Sequence, residues 1–432
     1  MKKKVYVSLS ADILHEGHIN ILNKASKFGD VTVGLMTDEA INHYKKIPFL
    51  NFSQRKIVVK NLSMVKNVIP QFEMDYRPNL RKLKPDYVVH GDDWKTSLLK
   101  KNRAQVIKEL KKWSGKLVEF SYTKKISSTN IKENIFNNYS FSFTSNRVSM
   151  LKRLIETKKF IRIMEAHSPL AGIIVEKKKI KKNNKYFEFD GMWSSSLTDS
   201  MVRGKPDNQS VELSTRIAAL NELLDVTTKP ILFDADNGGR IEHISYKINS
   251  LERQGVSAIV IEDKIGLKRN SLFKDQKKTQ QDSTKHFCNK IKAIVKSRKS
   301  KNFLIVARIE SLILGKSIND ALKRANAYSK SGADAILIHS KDKNPKKIFQ
   351  FSKIFRKSKY AKYLVAVPSS YSKTYEKQLF QNGFNVVIYA NHILRASYLS
   401  MNQTAEEILK NGRSFNSENK IASIDQLLKH SS

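Results

Sequence analysis

Eight short apolar runs recur after residue 159, and each stops at polar residues. Phe160–Met164 leads to Glu165 and His167, and Phe187–Met192 to Trp193-Ser194-Ser195. Ile231–Phe233 leads to Asp234-Ala235-Asp236, Ala258–Ile261 to Glu262-Asp263, and Phe303–Ala307 to Arg308 and Glu310. Ala335–Ile338 leads to His339-Ser340, Tyr363–Val367 to Ser369-Ser370, and Val386–Ala390 to Asn391-His392. Helical patterns such as Val211–Leu224, Ile318–Ser329 and Tyr375–Gln381 lie between most of them. Short buried strands alternating with helices predict a (β/α)8 TIM barrel over residues 150–432. Any one of these polar residues reads equally well as a strand cap. Repeated at every strand end, they argue for a site on the C-terminal face.

Residues 1–136 carry a different pattern. Val5–Ser8, Val31–Leu35, Val65–Ile69, Tyr87–Val89 and Leu117–Phe120 read as strands separated by helices, which predicts a parallel, Rossmann-like α/β sheet. His15-Glu16-Gly17-His18 falls where the first strand gives way to the first helix. A helix start offers unpaired N–H groups and a positive dipole end to an anion. Alone, two such histidines read as a surface or metal-binding pair. A second signal, Lys124-Lys125-Ile126-Ser127-Ser128-Thr129-Asn130 ahead of another helix, supplies a further phosphate cradle. Two cradles in one α/β unit suit a nucleoside triphosphate. Between the two regions, residues 137–149 (NNYSFSFTSNRVS) are polar and aromatic without helical period, and read as a joint.

The net charge of +39 suits nucleic acid, acidic membranes or phosphate-rich ligands. The lysines, however, are spread along the chain, as in Lys177–Lys182, Lys290–Lys301 and Lys341–Lys359, and form no aromatic-rich stripe. Specific nucleic-acid binding is therefore not expected. No window approaches the ~20 apolar residues of a membrane span. The single cysteine, Cys288, excludes an internal disulfide framework and a thiolate metal cluster, and points to a cytoplasmic address.

The barrel's strand ends suggest their chemistry. Asp234, Asp236, Glu262 and Asp263 are hard oxygen donors suited to Mg2+ or Mn2+ held partly through water. Lys268, Asn270, Arg308 and His339 offer donors to an anion, and Ser195-Ser196-Leu197 opens a loop whose N–H groups could bind a carboxylate or phosphate. A small, multiply charged anion is the expected ligand.

Residues 1–136 resemble a nucleotidyltransferase of the glycerol-3-phosphate and ethanolamine-phosphate cytidylyltransferase type. His15-Glu16-Gly17-His18 matches its H-x-G-H, Gly91-Asp92-Asp93-Trp94 its G-x-D-W, and Ile126-Ser127-Ser128-Thr129 its I-S-S/T-T. The resemblance implies CTP as co-substrate. His15 and His18 would steady the α-phosphate, and Lys46, beside Lys45, would hold the triphosphate. Asp92 would belong to the nucleotide site, and Ser127, Ser128 and Thr129 would bind the outer phosphates. Ser10-Ala11-Asp12 departs from the family's Gly-x-Phe-Asp, and the Arg-Thr and Gly expected ahead of Ile126 are missing.

Residues 150–432 resemble phosphoenolpyruvate mutase of the isocitrate lyase superfamily. The match lies in Trp193–Leu197, Asp234-Ala235-Asp236, the E-D-K-x-x-x-K-x-N-S stretch from Glu262, Val306–Glu310, His339-Ser340-Lys341 and Ala390–Ala396. Phosphonate biosynthesis is the implied pathway. Asp234, Asp236 and Glu262 would hold the metal, and Trp193, Ser195, Ser196 and Leu197 would bind substrate. Asp207, Lys268, Asn270, Ser271, Arg308 and His339 would be catalytic, with residues 268–271 on a closing lid. Asn270 follows the mutase pattern; a phosphonopyruvate hydrolase beside a non-catalytic nucleotide-binding module is the alternative. Ser196 stands where many mutases have Gly. The resemblance also implies a homo-oligomer, a tetramer.

Overall fold

The computed structural model describes residues 2–43, 47–95, 100–121, 144–182, 185–266, 268–271, 276 and 279–431. The chain divides into two compact units, Met1–Tyr139 and Ser140–Ser432.

The first unit is a five-stranded parallel sheet: β1 (Lys4–Leu9), β2 (Asp30–Met36), β3 (Asn67–Gln71), β4 (Tyr87–Gly91) and β5 (Lys116–Phe120), in the order β3-β2-β1-β4-β5. β1 is buried at every residue from Val5 to Leu9, as a central parallel strand covered on both faces must be. The order reverses between β1 and β4, so the crevice at their C-terminal ends is the topological switch point where such sheets bind ligands. The run expected at Val65–Ile69 pairs two residues later. Val65 closes a turn on the Leu62 carbonyl, and the ladder with β2 begins at Asn67.

In the second unit, eight parallel strands close a barrel: β6 (Ile161–Glu165), β9 (Gly191–Ser194), β10 (Ile231–Asp234), β11 (Ala258–Glu262), β14 (Leu304–Ile309), β15 (Ala335–Ile338), β16 (Tyr363–Ala366) and β17 (Val386–Tyr389). Two hairpins lie outside the ring, β7 (Lys179–Lys182) with β8 (Lys185–Glu188), and β12 (Lys264–Ile265) with β13 (Gln280–Gln281). Outward side chains such as Ile259, Ile305 and Ile336 join Phe287, Phe351 and Phe355 of the surrounding helices in one core. Each such side chain contributes about 1.5–3 kcal/mol by leaving water.

Two expectations are corrected here. The run Phe187–Met192 is not one strand: residues up to Glu188 belong to the outer hairpin, and the barrel strand starts at Gly191. Buried Asp190 divides them, because its carboxylate accepts hydrogen bonds from Arg162 N and Lys158 Nζ. Gly191 then passes so close to its neighbours that a Cβ would lie 2.8 Å from the Pro230 carbonyl oxygen. The joint is also shorter than its composition suggests. The helix Thr144–Lys158 begins inside it, with Arg147 buried and donating to the Leu224 and Thr227 carbonyls. Residues 137–143 lie outside the described residues. No helix among the described residues is long and apolar enough to cross a membrane.

Candidate active sites

In the barrel, one cavity opens among the C-terminal strand ends. Trp193 lines it from β9 itself, Ser195, Ser196 and Leu197 from the helix start that follows, and Asp207 from the segment beyond that helix; Asp234 and Glu262 line it from the ends of β10 and β11. Lys268, Asn270, Ser271, Arg308 and His339 complete the set expected from sequence. Asp236 stands just behind this lining, in the left-handed region at φ 54°, where its carboxylate meets Lys268. A non-glycine residue there is strained, and such strain gathers at functional loops.

The charges interlock. Burial alone would raise the Asp234 pKa, but Lys268, Arg216 and Arg308 together hold it down to about 2. Asp234 accepts hydrogen bonds from Ser196 Oγ at 2.8 Å and Asp236 N at 3.1 Å. Lys268 Nζ touches Ser196 Oγ and Asp236, and lies 2.9 Å from Asp207. Burial works against its charge, and the surrounding aspartates outweigh it, so its pKa ends above the ordinary lysine value. Asn270 Nδ2 donates to Asp207 at 2.8 Å, so the loop bearing Asp207 and the segment bearing Lys268 and Asn270 are tied twice.

Glu310 is the hub on the other side. Its carboxylate accepts from Arg308 Nε at 2.6 Å and Ser271 Oγ at 2.6 Å, and lies 3.4 Å from Lys264 Nζ. Ser271 Oγ also accepts from Lys264 at 2.8 Å and Arg308 at 2.7 Å. Its one donor and two lone pairs are thereby used, which makes it a bolt for the segment that bears Lys268 and Asn270. Arg308 donates at 3.0 Å to His339 Nδ1, whereas Glu310 lies 3.4 Å from the same atom. A guanidinium cannot accept, so Nδ1 is the acceptor and the neutral ring carries its proton on Nε2. Burial, then the Arg308 charge, lower the His339 pKa in agreement.

Asp263 does not join this cluster, although it follows Glu262. Strand alternation turns it outward, where it is fully buried and accepts from Glu310 N, Gln281 Nε2 and Tyr328 Oη at 2.7–2.9 Å. Burial pushes its pKa up to about 7 against those donors. The remaining oxygens, Asp234 with Glu262 and Asp236, suit a hard divalent cation. Among the described residues no group of three Asp, Glu, His or Cys side chains is placed to hold a metal ion by itself.

Sequence reasoning gave no role at the site to Glu310, Lys264 or Arg216. Glu310 had a signal, the spacing of two from Arg308 that puts both on one face of an extended segment. Arg216 had none. It reaches from the helix Leu213–Asp225 to donate to Asp199 at 2.8 Å and to the Asp234 carbonyl at 2.6 Å, and lies 3.6 Å from the Asp236 carboxylate.

In the first unit, His15 caps the helix Glu16–Ser26. Its Nδ1 accepts from Gly17 N at 3.2 Å, and His18 Nδ1 accepts from His15 N at 3.4 Å. With Nδ1 accepting in both, each neutral ring carries its proton on Nε2. The rings lie 4.0 Å apart, so two imidazoles are fixed as one unit at the helix start. Ala11 precedes them at φ 46°. Its loop is pinned by buried Arg55, which donates to the Ser10 carbonyl, and by Asp12, which accepts from Phe49 N at 2.6 Å. Asp92 follows β4, across the switch point. Lys46, Ser127, Ser128 and Thr129 lie outside the described residues.

Residues 10–134 match the family described as Cytidylyltransferase-like, and residues 151–409 the family described as Phosphoenolpyruvate phosphomutase. A phosphoenolpyruvate phosphomutase of Tetrahymena pyriformis is 34% identical over 291 residues, covering 67% of this chain and 93% of that protein. The crystal structure of a phosphoenolpyruvate phosphomutase from Streptomyces platensis subsp. rosaceus superposes with a TM-score of 0.60 at 31% identity, covering 66% of this chain and 94% of that one. A phosphonopyruvate hydrolase solved in complex with oxalate and Mg2+ does so with a TM-score of 0.58 at 27% identity, covering 66% and 94%. The chain belongs to the phosphoenolpyruvate phosphomutase family, as an enzyme whose barrel follows a cytidylyltransferase-like domain.

Proposed function

We propose that the barrel interconverts phosphoenolpyruvate and phosphonopyruvate, and that the first unit transfers CMP from CTP to a phosphonate such as 2-aminoethylphosphonate. The barrel reaction breaks the bond between phosphorus and the enol oxygen and forms one between phosphorus and C3. Arg308, the Nε2–H of His339 and Asn270 would hold the phosphoryl oxygens while the bond changes ends. Asp207, kept in place by Lys268 and Asn270, is the acid beside the reacting centre. Asp234, with Glu262 and Asp236 at one water's remove, would hold Mg2+ or Mn2+, which when bound supplies positive charge to the pyruvyl oxygens. Lys268, Asn270 and Ser271 would keep bulk water from the phosphoryl group in transit, since water would trap it. The observation that carries this reading is the Asn270–Asp207 hydrogen bond inside a cavity that also holds Arg308 and His339.

In the first unit, an oxygen of the phosphonate would attack the α-phosphorus of CTP and pyrophosphate would leave. The Nε2–H groups of His15 and His18 would stabilise the spreading charge at the helix start. Lys46, Asp92, Ser127, Ser128 and Thr129 would hold the nucleotide. An assembly of several copies has its support in the helix His392–Asn411, which buries no residue and exposes Tyr398, Leu399, Met401 and Leu409.

Phosphorus NMR of the whole protein with phosphonopyruvate, Mg2+, CTP and 2-aminoethylphosphonate tests both halves. Phosphoenolpyruvate, a CMP conjugate and pyrophosphate are expected. Pyruvate and inorganic phosphate as the main products would convert the barrel reading to a hydrolase. Absence of pyrophosphate would leave the first unit as a nucleotide-binding module.

A further inference from the structure

The barrel cavity has two unlike walls. One is charged, from Asp234 round to Arg308. The other, at the ends of β15 to β17, is formed by Leu337, Val367 and Ala390 with two polar side chains, Ser369 and Asn391. Asn391 is only 5% exposed, and its Oδ1 is buried without a hydrogen-bond partner among the described residues. A buried amide oxygen left unpaired costs free energy, and cores retain one where a function employs it. The residue is held by its backbone, whose carbonyl accepts from Arg395 N at 3.2 Å at the start of the helix His392–Asn411. The amide is thus placed in the cavity by its main chain, while its Oδ1 has no partner to fix it.

We infer that Asn391 is a substrate-contacting residue, its carboxamide binding the end of the three-carbon acid that lies away from the charged wall. Near neutral pH that acid presents almost only acceptors, so the amide, which no partner holds in one orientation, meets it by turning its Nδ2–H toward the ligand. On an apolar wall such a contact is not diluted by competing water, and it selects for an oxygen at that end of the ligand over a methyl. The inference rests on the mutase-family reading of the same site and adds a group that orients the substrate against the Arg308 side.

The test is calorimetric binding of phosphonopyruvate, with Mg2+ present, to the full-length protein and to Asn391→Ala and Asn391→Asp. Loss of one hydrogen bond to a charged ligand predicts affinity about tenfold weaker for Asn391→Ala. Asn391→Asp, which sets like charge against the acid, should bind more weakly still. In turnover, KM should rise by a larger factor than kcat falls. Thermal melts without ligand should stay near wild type. If a variant does not fold, Asn391→Ser, smaller and neutral, takes its place in the same measurement. Wild-type affinity in the folded variants overturns the assignment, as does failure of the wild-type protein to bind phosphonopyruvate. If the wild type binds the acid but does not isomerise it, the mutase reading falls while the variants' affinities still decide Asn391.

Discussion

Both candidate sites sit at the C-terminal ends of parallel strands, yet they manage charge in opposite ways. The barrel site encloses five acids, Asp207, Asp234, Asp236, Glu262 and Glu310, with Lys264, Lys268, Arg308 and Arg216, all well inside the protein. Each charge is tolerated only because others surround it. Among the described residues, the first unit's site gathers few ionised groups. Its described part is a helix start, two imidazoles held at that start and a pinned loop. A closed ring of strands can exclude water and afford a dense ionic interior. An open sheet offers fixed dipoles instead, which remain useful when wet. The shared detail is local strain, since Asp236 and Ala11 both hold positive φ directly beside their sites.

The comparison breaks most visibly at Arg308. Arg308→Met leaves Glu262 and Glu310 without their main counter-charge. It should destabilise the barrel by about 3–5 kcal/mol. Urea unfolding together with phosphorus NMR would record that loss and the disappearance of isomerisation; full stability would show that the ionic interior is not interdependent. Next in size, His15→Ala should lower pyrophosphate release by about 10²–10³-fold, with phosphonopyruvate turnover by the same sample unchanged. Equal losses in both activities would mean that the two sites do not act separately. Asn270→Ala should lower isomerisation by about tenfold or more and raise the share of pyruvate and phosphate, read from the product ratio. A fixed ratio would remove Asn270 from the choice between isomerisation and hydrolysis.

The smallest effect concerns acid. Hydrogen bonds from Arg103, opposed by burial and assisted by Trp94, hold the Glu119 pKa down to about 2 from its ordinary 4.5. A depressed carboxyl pKa contributes stability that is fully present above 4.5 and is lost as pH falls towards 2. Because the pair lies near the surface, about 1 kcal/mol at most is at stake. Glu119→Gln should flatten the acid limb of the first unit's unfolding curve and lower stability above pH 5 by no more than that amount. An unchanged acid limb would place the sensitivity elsewhere.

How much could be read from the chain alone follows the same division. Apolar runs fix buried parallel strands, so both sheets and the strand-end residues of the barrel were legible. Where Asp190 interrupts an apolar run, and where Arg147 buries a charge inside a polar stretch, composition misplaces the boundary. The partners of the charges were less legible. Glu262 and Asp263 look equivalent in sequence, yet strand alternation sends one to the cavity and the other to the helices. Arg216 meets one acid from a helix and one from a loop, a convergence that no local spacing records.

Asp263 has a consequence for how this protein can vary. Its carboxylate is gripped by Tyr328 and Arg324, both on the helix Ile318–Lys330 in the outer layer. The next residue back along the chain is Glu262, at the cavity. Inherited changes at Tyr328 would therefore be judged by selection as changes to the cavity floor, although that ring does not line the cavity. A lineage that loses the Tyr328 hydroxyl should be found to have altered Asp263 as well, the two drifting together or not at all.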